Sequence, residues 1–95
     1  MGAVEVMDEG TVTWLGEARV PMANVGWGTY VDAEGASREG FVCSVVLADG
    51  PLHVGAGSRF EAGGVVWVVE EVARGDGGTG WCRVRSVEPG LALDV

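Results

Sequence analysis

The chemistry-bearing residues of this sequence are few: one histidine, two cysteines, and two pairs of adjacent carboxylates. His53 would anchor any general-base or metal-binding role. It sits in Leu-His-Val, between apolar neighbours on a short β-type run. That setting predicts an ordinary strand histidine. His53 with a nearby carboxylate is still the place to look for an enzyme activity. A Cys–His nucleophile pair would require Cys43 or Cys82 beside it. Both cysteines fall on inward strand faces, so both are expected to be buried and inert; a cytoplasmic location would keep them reduced, with a Cys43–Cys82 disulfide the less favoured alternative. Neither belongs to a C-x-x-C unit, and zinc or iron–sulfur ligation needs more soft ligands close by. The sequence therefore assigns no catalytic residue, no metal set and no cofactor.

The carboxylate pairs are Asp8-Glu9 and Glu70-Glu71. Successive strand residues point to opposite faces, so neither is a ready acid/base couple. A bulge at Glu70-Glu71 would change this by bringing the two side chains together. The preceding run, Val65–Val69, is apolar on both faces: Val65, Trp67 and Val69 on one, Val66 and Val68 on the other. Such a run predicts a central strand, with a core on one side and a second layer or second subunit on the other. If Val72 returns to the core in phase with Val66 and Val68, Glu70 points inward and needs a partner. A bulge would relieve this by one residue, which makes Glu70 the chemically open position of the run.

Other motifs are weaker. Asp32, Glu34 and Asp76 lie near turns but lack the D-x-D-x-D-G spacing of a calcium loop. The glycine-rich pieces at 55–57 and 75–78 lack phosphate-loop spacing and a following helix. No serine has a G-x-S-x-G context. Trp81, Arg83 and Arg85 alternate on the side of their strand opposite Cys82 and Val84. An outward Trp beside two Arg has the composition of an interaction hot spot, and fits cation–π cover of a solvated sheet equally well. Arg83 and Arg85 form the one local basic cluster.

The elements that position these residues read as strands. Glycine or proline interrupts every window long enough for a helix. Period-two or β-branched runs occur at Ala3–Met7, Thr11–Leu15, Glu17–Met22, Trp27–Asp32, Gly40–Ala48, Leu52–Val54, Ser58–Glu61, Val65–Val72 and Thr79–Val87. Pro21 lacks an N–H, so its strand should be an edge or break there. Asp49-Gly50 is a hairpin signal, lengthened by Pro51. Pro89-Gly90 ends the last strand, and 91–95 read as a loose tail or an added edge. About seven to nine short strands predict an all-β fold, a sandwich or a partly open SH3-like barrel.

A chain of 95 residues makes one domain, spanning 1–95. Its net charge of −8 disfavours binding to phosphate backbones and to anionic membrane surfaces. The apolar runs are too short for a membrane span, and the acidic N-terminus lacks a signal-peptide core, so a cytoplasmic location is expected. Every cation is an arginine and isoleucine is absent, a composition like that of GC-rich actinobacterial genomes.

Between Leu52 and Val72 the residues Leu52, Gly57, Phe60, Gly63, Gly64, Trp67, Val69 and Val72 form an outline of two strands and a turn. It resembles that of a family of small actinobacterial proteins of unknown function. Similar outlines occur in SH3-like barrels and phage head–tail joining proteins. The resemblance covers about a quarter of the chain, implies a compact β domain, and supplies no site. From the residues themselves the expected role is a small non-catalytic protein-interaction or accessory module. Two-sided apolar strands in so short a chain point to self-association. Two alternatives remain open: a barrel that binds a hydrophobic small molecule, or an acidic inhibitor or immunity protein against a basic partner.

Overall fold

The computed structural model describes residues 3–75 and 78–87. The expected loop residue Asp76, the stop at Pro89-Gly90 and the tail 91–95 lie outside the described residues. Eight strands are present: β1 Val4–Asp8, β2 Thr11–Leu15, β3 Ala18–Val31, β4 Ser37–Leu47, β5 Gly50–Gly55, β6 Arg59–Ala62, β7 Val65–Arg74 and β8 Gly80–Val87. They form two antiparallel four-stranded sheets, in the orders β1-β8-β7-β6 and β2-β3-β4-β5. The fold is therefore all-β and sandwich-like, as the strand spacing predicts. Strand order runs around the molecule from β2 to β8 and back to β1, as in a barrel left unclosed at β1/β2 and β5/β6.

The alternating runs supply the two inner faces. Leu15, Val20, Met22, Cys43, Val45 and Val54 point inward from one sheet; Met7, Phe60, Trp67, Val69, Cys82 and Val84 point inward from the other. Trp67 is a core residue whose indole N–H donates to the Ala62 carbonyl at 3.1 Å. That bond satisfies the polar end of an otherwise apolar payload.

Two expected strands prove to be one. Glu17–Met22 and Trp27–Asp32 belong to the single strand β3. The chain does not stop between them because Asn24, at φ 59°, inserts a bulge between Ala23 and Gly26. Asparagine tolerates this left-handed conformation better than most side chains. The extra residue reverses the phase: Val20 and Met22 face inward before it, Val25 after it. Pro21 consequently sits in a central strand. It pairs with Val12 of β2, while the ladder to β4 begins one residue later, at Met22–Val45. Without an N–H to donate, β3 parts from β4 at Pro21, so the expected break occurs on one side of the strand only. The β4–β5 turn is the two residues Ala48-Asp49, one residue earlier than expected and not lengthened by Pro51, because Gly50 (φ 120°) and Pro51 are already paired with Leu47 and Val46.

β7 is central, as the two-sided apolar run requires. Its register shifts between Val69 and Glu71, so the bulge falls at Glu70. Val72 therefore returns to the core in phase with Trp67 and Val69, not with Val66 and Val68. Glu70 turns outward. Val66 and Val68 are half-buried on the outer face, where Val68 is flanked in register by Arg59 and Arg85. Stems of long cationic side chains cover such surface well.

Close approach of the two sheets depends on Gly80. A Cβ built there would overlap Val25. Gly80→Ala is expected to destabilise the domain by about 2–4 kcal/mol in urea denaturation. Combining it with Val25→Ala makes room and should recover part of that loss through a favourable coupling between the pair. Strict additivity of the two substitutions would rule out this contact as the cause.

Candidate functional site

The outer face of the β1-β8-β7-β6 sheet carries the residues singled out from sequence. Strand alternation places Trp81, Arg83 and Arg85 of β8 outward, opposite buried Cys82 and Val84. The bulge in β7 then delivers two carboxylates to the same face. Arg83 donates through Nε to Glu70 Oε1 at 3.0 Å and through Nη2 to Glu71 Oε1 at 3.3 Å. Arg85 Nε lies 2.6 Å from Glu70 Oε2. The Arg83 guanidinium also stands 6.0 Å from the Trp81 ring centroid. The expected basic cluster is thus charge-balanced, two arginines against two glutamates. Glu70, the open position of the sequence, is its hub. The Arg83 and Arg85 guanidiniums hold its carboxyl below the usual range. Exposed Val4 and Val6 of β1 lie across from Arg85 and Arg83, giving this face an apolar margin.

The remaining candidates do not join this cluster. His53 is exposed on β5, opposite Ser44. Cys43 and Cys82 are fully buried in the core. They face each other closely enough to affect each other's ionisation, which raises the Cys82 thiol, with burial acting in the same direction. Asp32 serves its own hairpin. Its Oδ1 accepts from the N–H groups of Glu34 and Ala36, both at 2.9 Å, and Oδ2 pairs with Arg38 Nε at 2.5 Å. Arg38 and these amides lower its pKa. Among the described residues, no group of three or more His, Cys, Asp or Glu side chains is arranged to hold a metal ion.

Two features were missed from sequence. The first is Glu9. Its Oε2 accepts the Val25 N–H at 3.0 Å and its Oε1 accepts the Gly80 N–H at 2.9 Å. These two bonds hold its pKa down, with Arg74 adding a smaller favourable charge. The Val25 amide becomes available because the Asn24 bulge takes it out of the β3–β4 ladder, a cue that a lone Asn in a valine-rich run scarcely announces. The second is the display of aromatic residues. Trp14 (59% exposed) stands on β2 with Arg19 6.0 Å from its ring centroid. Trp27 (68% exposed) meets Phe41 edge-on, with centroids 5.4 Å apart. By alternation from Val25 and Cys43, that pair lies on the core-facing side of its sheet, yet both rings are exposed.

No protein-family model, curated protein or solved structure matches the chain.

Glu9, Asp32 and Glu70 share one consequence. Each titrates below its ordinary value of 4.5, 3.8 and 4.5 respectively. A depressed folded pKa contributes stability that is present above the unfolded value and is lost as pH falls through the folded one. Thermal midpoints should therefore hold level down to about pH 5 and decline below about pH 4. Glu9→Gln should flatten that decline. A midpoint that stays level to about pH 2.5 would remove the assignment.

Proposed function

We propose that this domain is a small non-catalytic interaction module that pairs with a second copy of itself through the free edge of β2. One observation carries the reading: among the described residues, β2 ends its sheet and has neither charge nor proline. Unpaired edges are normally blunted by charge, proline, glycine or shortness. β1 carries Glu5 and Asp8; β5 carries Gly50, Pro51 and Gly55; β6 has four residues, with Arg59 and Glu61. β2 reads Thr-Val-Thr-Trp-Leu, with neither charge nor proline.

The strand is also self-complementary. A two-fold axis through Thr13 sets Val12 (45% exposed) opposite Trp14 of the second copy, on the same outer face. Aromatic and β-branched residues make favourable cross-strand pairs, and here the pair occurs twice. The interface is small, so the association is expected to be weak, in the micromolar range or above.

Sedimentation of the wild-type chain should show dimer at about 100 μM. Thr13→Lys puts two ammonium groups on the axis and should return the chain to monomer without changing its circular dichroism. Arg83→Ala should leave dimerisation unchanged. A wild-type chain that is monomeric at that concentration ends the proposal, and dissociation by Arg83→Ala rather than Thr13→Lys moves the contact to the Trp81/Arg83/Arg85 face.

A second reading draws on the groove that opens where β3 and β4 part at Pro21. It has a volume of about 410 Å³ and is lined by Ala18, Val20, Pro21, Val46, Leu47 and Ala62, with Arg19 and Glu61 at the rim. This is where an apolar small molecule would be received, since the space between the sheets is filled by core side chains. Titration with anilinonaphthalene sulfonate should give saturable fluorescence that Val46→Arg abolishes. Fluorescence equally strong in Val46→Arg would place the dye elsewhere.

A further inference from the structure

Cys43 and Cys82 stand on interior strands of opposite sheets, β4 and β8, and neither has any exposed surface. Backbone landmarks place them together independently of their ionisation. The β3 bulge pairs Ala23 with Ser44 and Gly26 with Val42, so Val25 lies beside Cys43. Val25 packs directly onto Gly80 of the other sheet, leaving no room there for a Cβ. Cys82 follows Gly80 by two residues on the same inward face, and it pairs with core residues Met7 and Val72. The two thiols therefore face each other across the core, on either side of the Val25–Gly80 contact.

We propose that Cys43 and Cys82 are a disulfide site, held by the reduced fold in position to be joined sheet to sheet without a change of strand register. The reaction partner is a low-molecular-weight disulfide such as oxidised glutathione. One protein thiol loses its proton, and the thiolate attacks the external disulfide and expels one glutathione thiolate. The second protein thiolate then attacks the mixed disulfide at the protein sulfur and expels the other. One protein S–S bond forms and one glutathione S–S bond breaks. Two electrons pass to glutathione, and the two protein protons leave on the two glutathione thiols.

Complete burial sets the timing of this chemistry. The first attack requires an external disulfide to reach a sulfur with no accessible surface, so it proceeds before the sheets close or during a rare opening. The pair is therefore a record of the redox conditions under which the chain folds rather than a rapid sensor. In an oxidising compartment the domain becomes stapled; in a reducing one it folds with the same core and two free thiols. The bond would tie β4 to β8 across β5, β6 and β7 and constrain the unfolded chain accordingly.

The test refolds the reduced, denatured chain in a glutathione redox buffer and reads it by intact mass and alkylation. The expected product is a monomer about 2 Da lighter than the reduced chain, with no alkylatable thiol and no glutathione adduct. Its thermal midpoint should exceed that of the reduced chain by about 10 °C or more. The same buffer containing denaturant should yield at least about tenfold less intrachain disulfide, because the fold raises the effective thiol concentration. Two free thiols, or glutathione adducts, on the refolded chain would overturn the proposal. So would an oxidised chain that melts below the reduced one, since the sheets would then have been strained to reach the bond.

Discussion

The Glu9 carboxylate accepts one backbone N–H from each sheet, and the approach of the two sheets is organised around that bridge. The Val25 N–H lies in the β3 bulge, and the Gly80 N–H begins β8. A carboxylate has enough acceptor capacity for both, and charge-assisted bonds of this kind are stronger than neutral ones. The surrounding contacts agree with it. Glu9 N–H donates to the Gly80 carbonyl at 2.9 Å, Gly10 N–H donates to the Met22 carbonyl at 2.8 Å, and the Arg74 guanidinium donates to the Val25 carbonyl. A two-residue turn thus separates β1 from β2, sends them into different sheets and ties those sheets together at the same point. The Gly80–Val25 contact follows from this geometry, and Cys43 and Cys82 are buried beside it.

The two bulges do matching work on the two sheets. Each adds one residue to a long strand, and each reverses which side chains face the core. In β3 the shift brings Val25 inside and leaves Trp27 exposed on the same side of the sheet. In β7 it returns Val72 to the core and turns Glu70 out to Arg83 and Arg85. Without that second shift a carboxylate would face the interior, where a charge unpaired and out of water is costly. The outer face instead gains a balanced ionic cluster whose charges largely cancel. This electrostatic neutrality separates the Trp81 face from the positively charged hot spot that its three residues alone suggest.

Much of the fold was legible in the sequence because strand alternation and turn chemistry are local. The boundaries of β2 and β8 follow from residue type within about one residue. The inward set of Cys43, Val45, Cys82 and Val84 follows from period two alone. The bulge at Glu70 was foreseeable because Val72 and the two-sided valine run cannot both be satisfied without a shift. The bulge at Asn24 was not, since β3 on either side of it reads as two acceptable shorter strands. Edge status was similarly hidden: Thr11–Leu15 and Val65–Val69 have comparable β-forming character, yet the first is an edge and the second is central.

The sequence by itself therefore determined the all-β class, the number of strands within narrow limits and the inward faces, because these depend on residues two apart. The tertiary structure decided which strands end their sheets, where Glu9 finds its two amides and that Cys43 and Cys82 face each other across the core. These depend on partners tens of residues apart, which no local pattern specifies. Val25 and Gly80 are separated by more than half of the chain and still touch, because a one-residue bulge and a missing Cβ let two sheets close on each other.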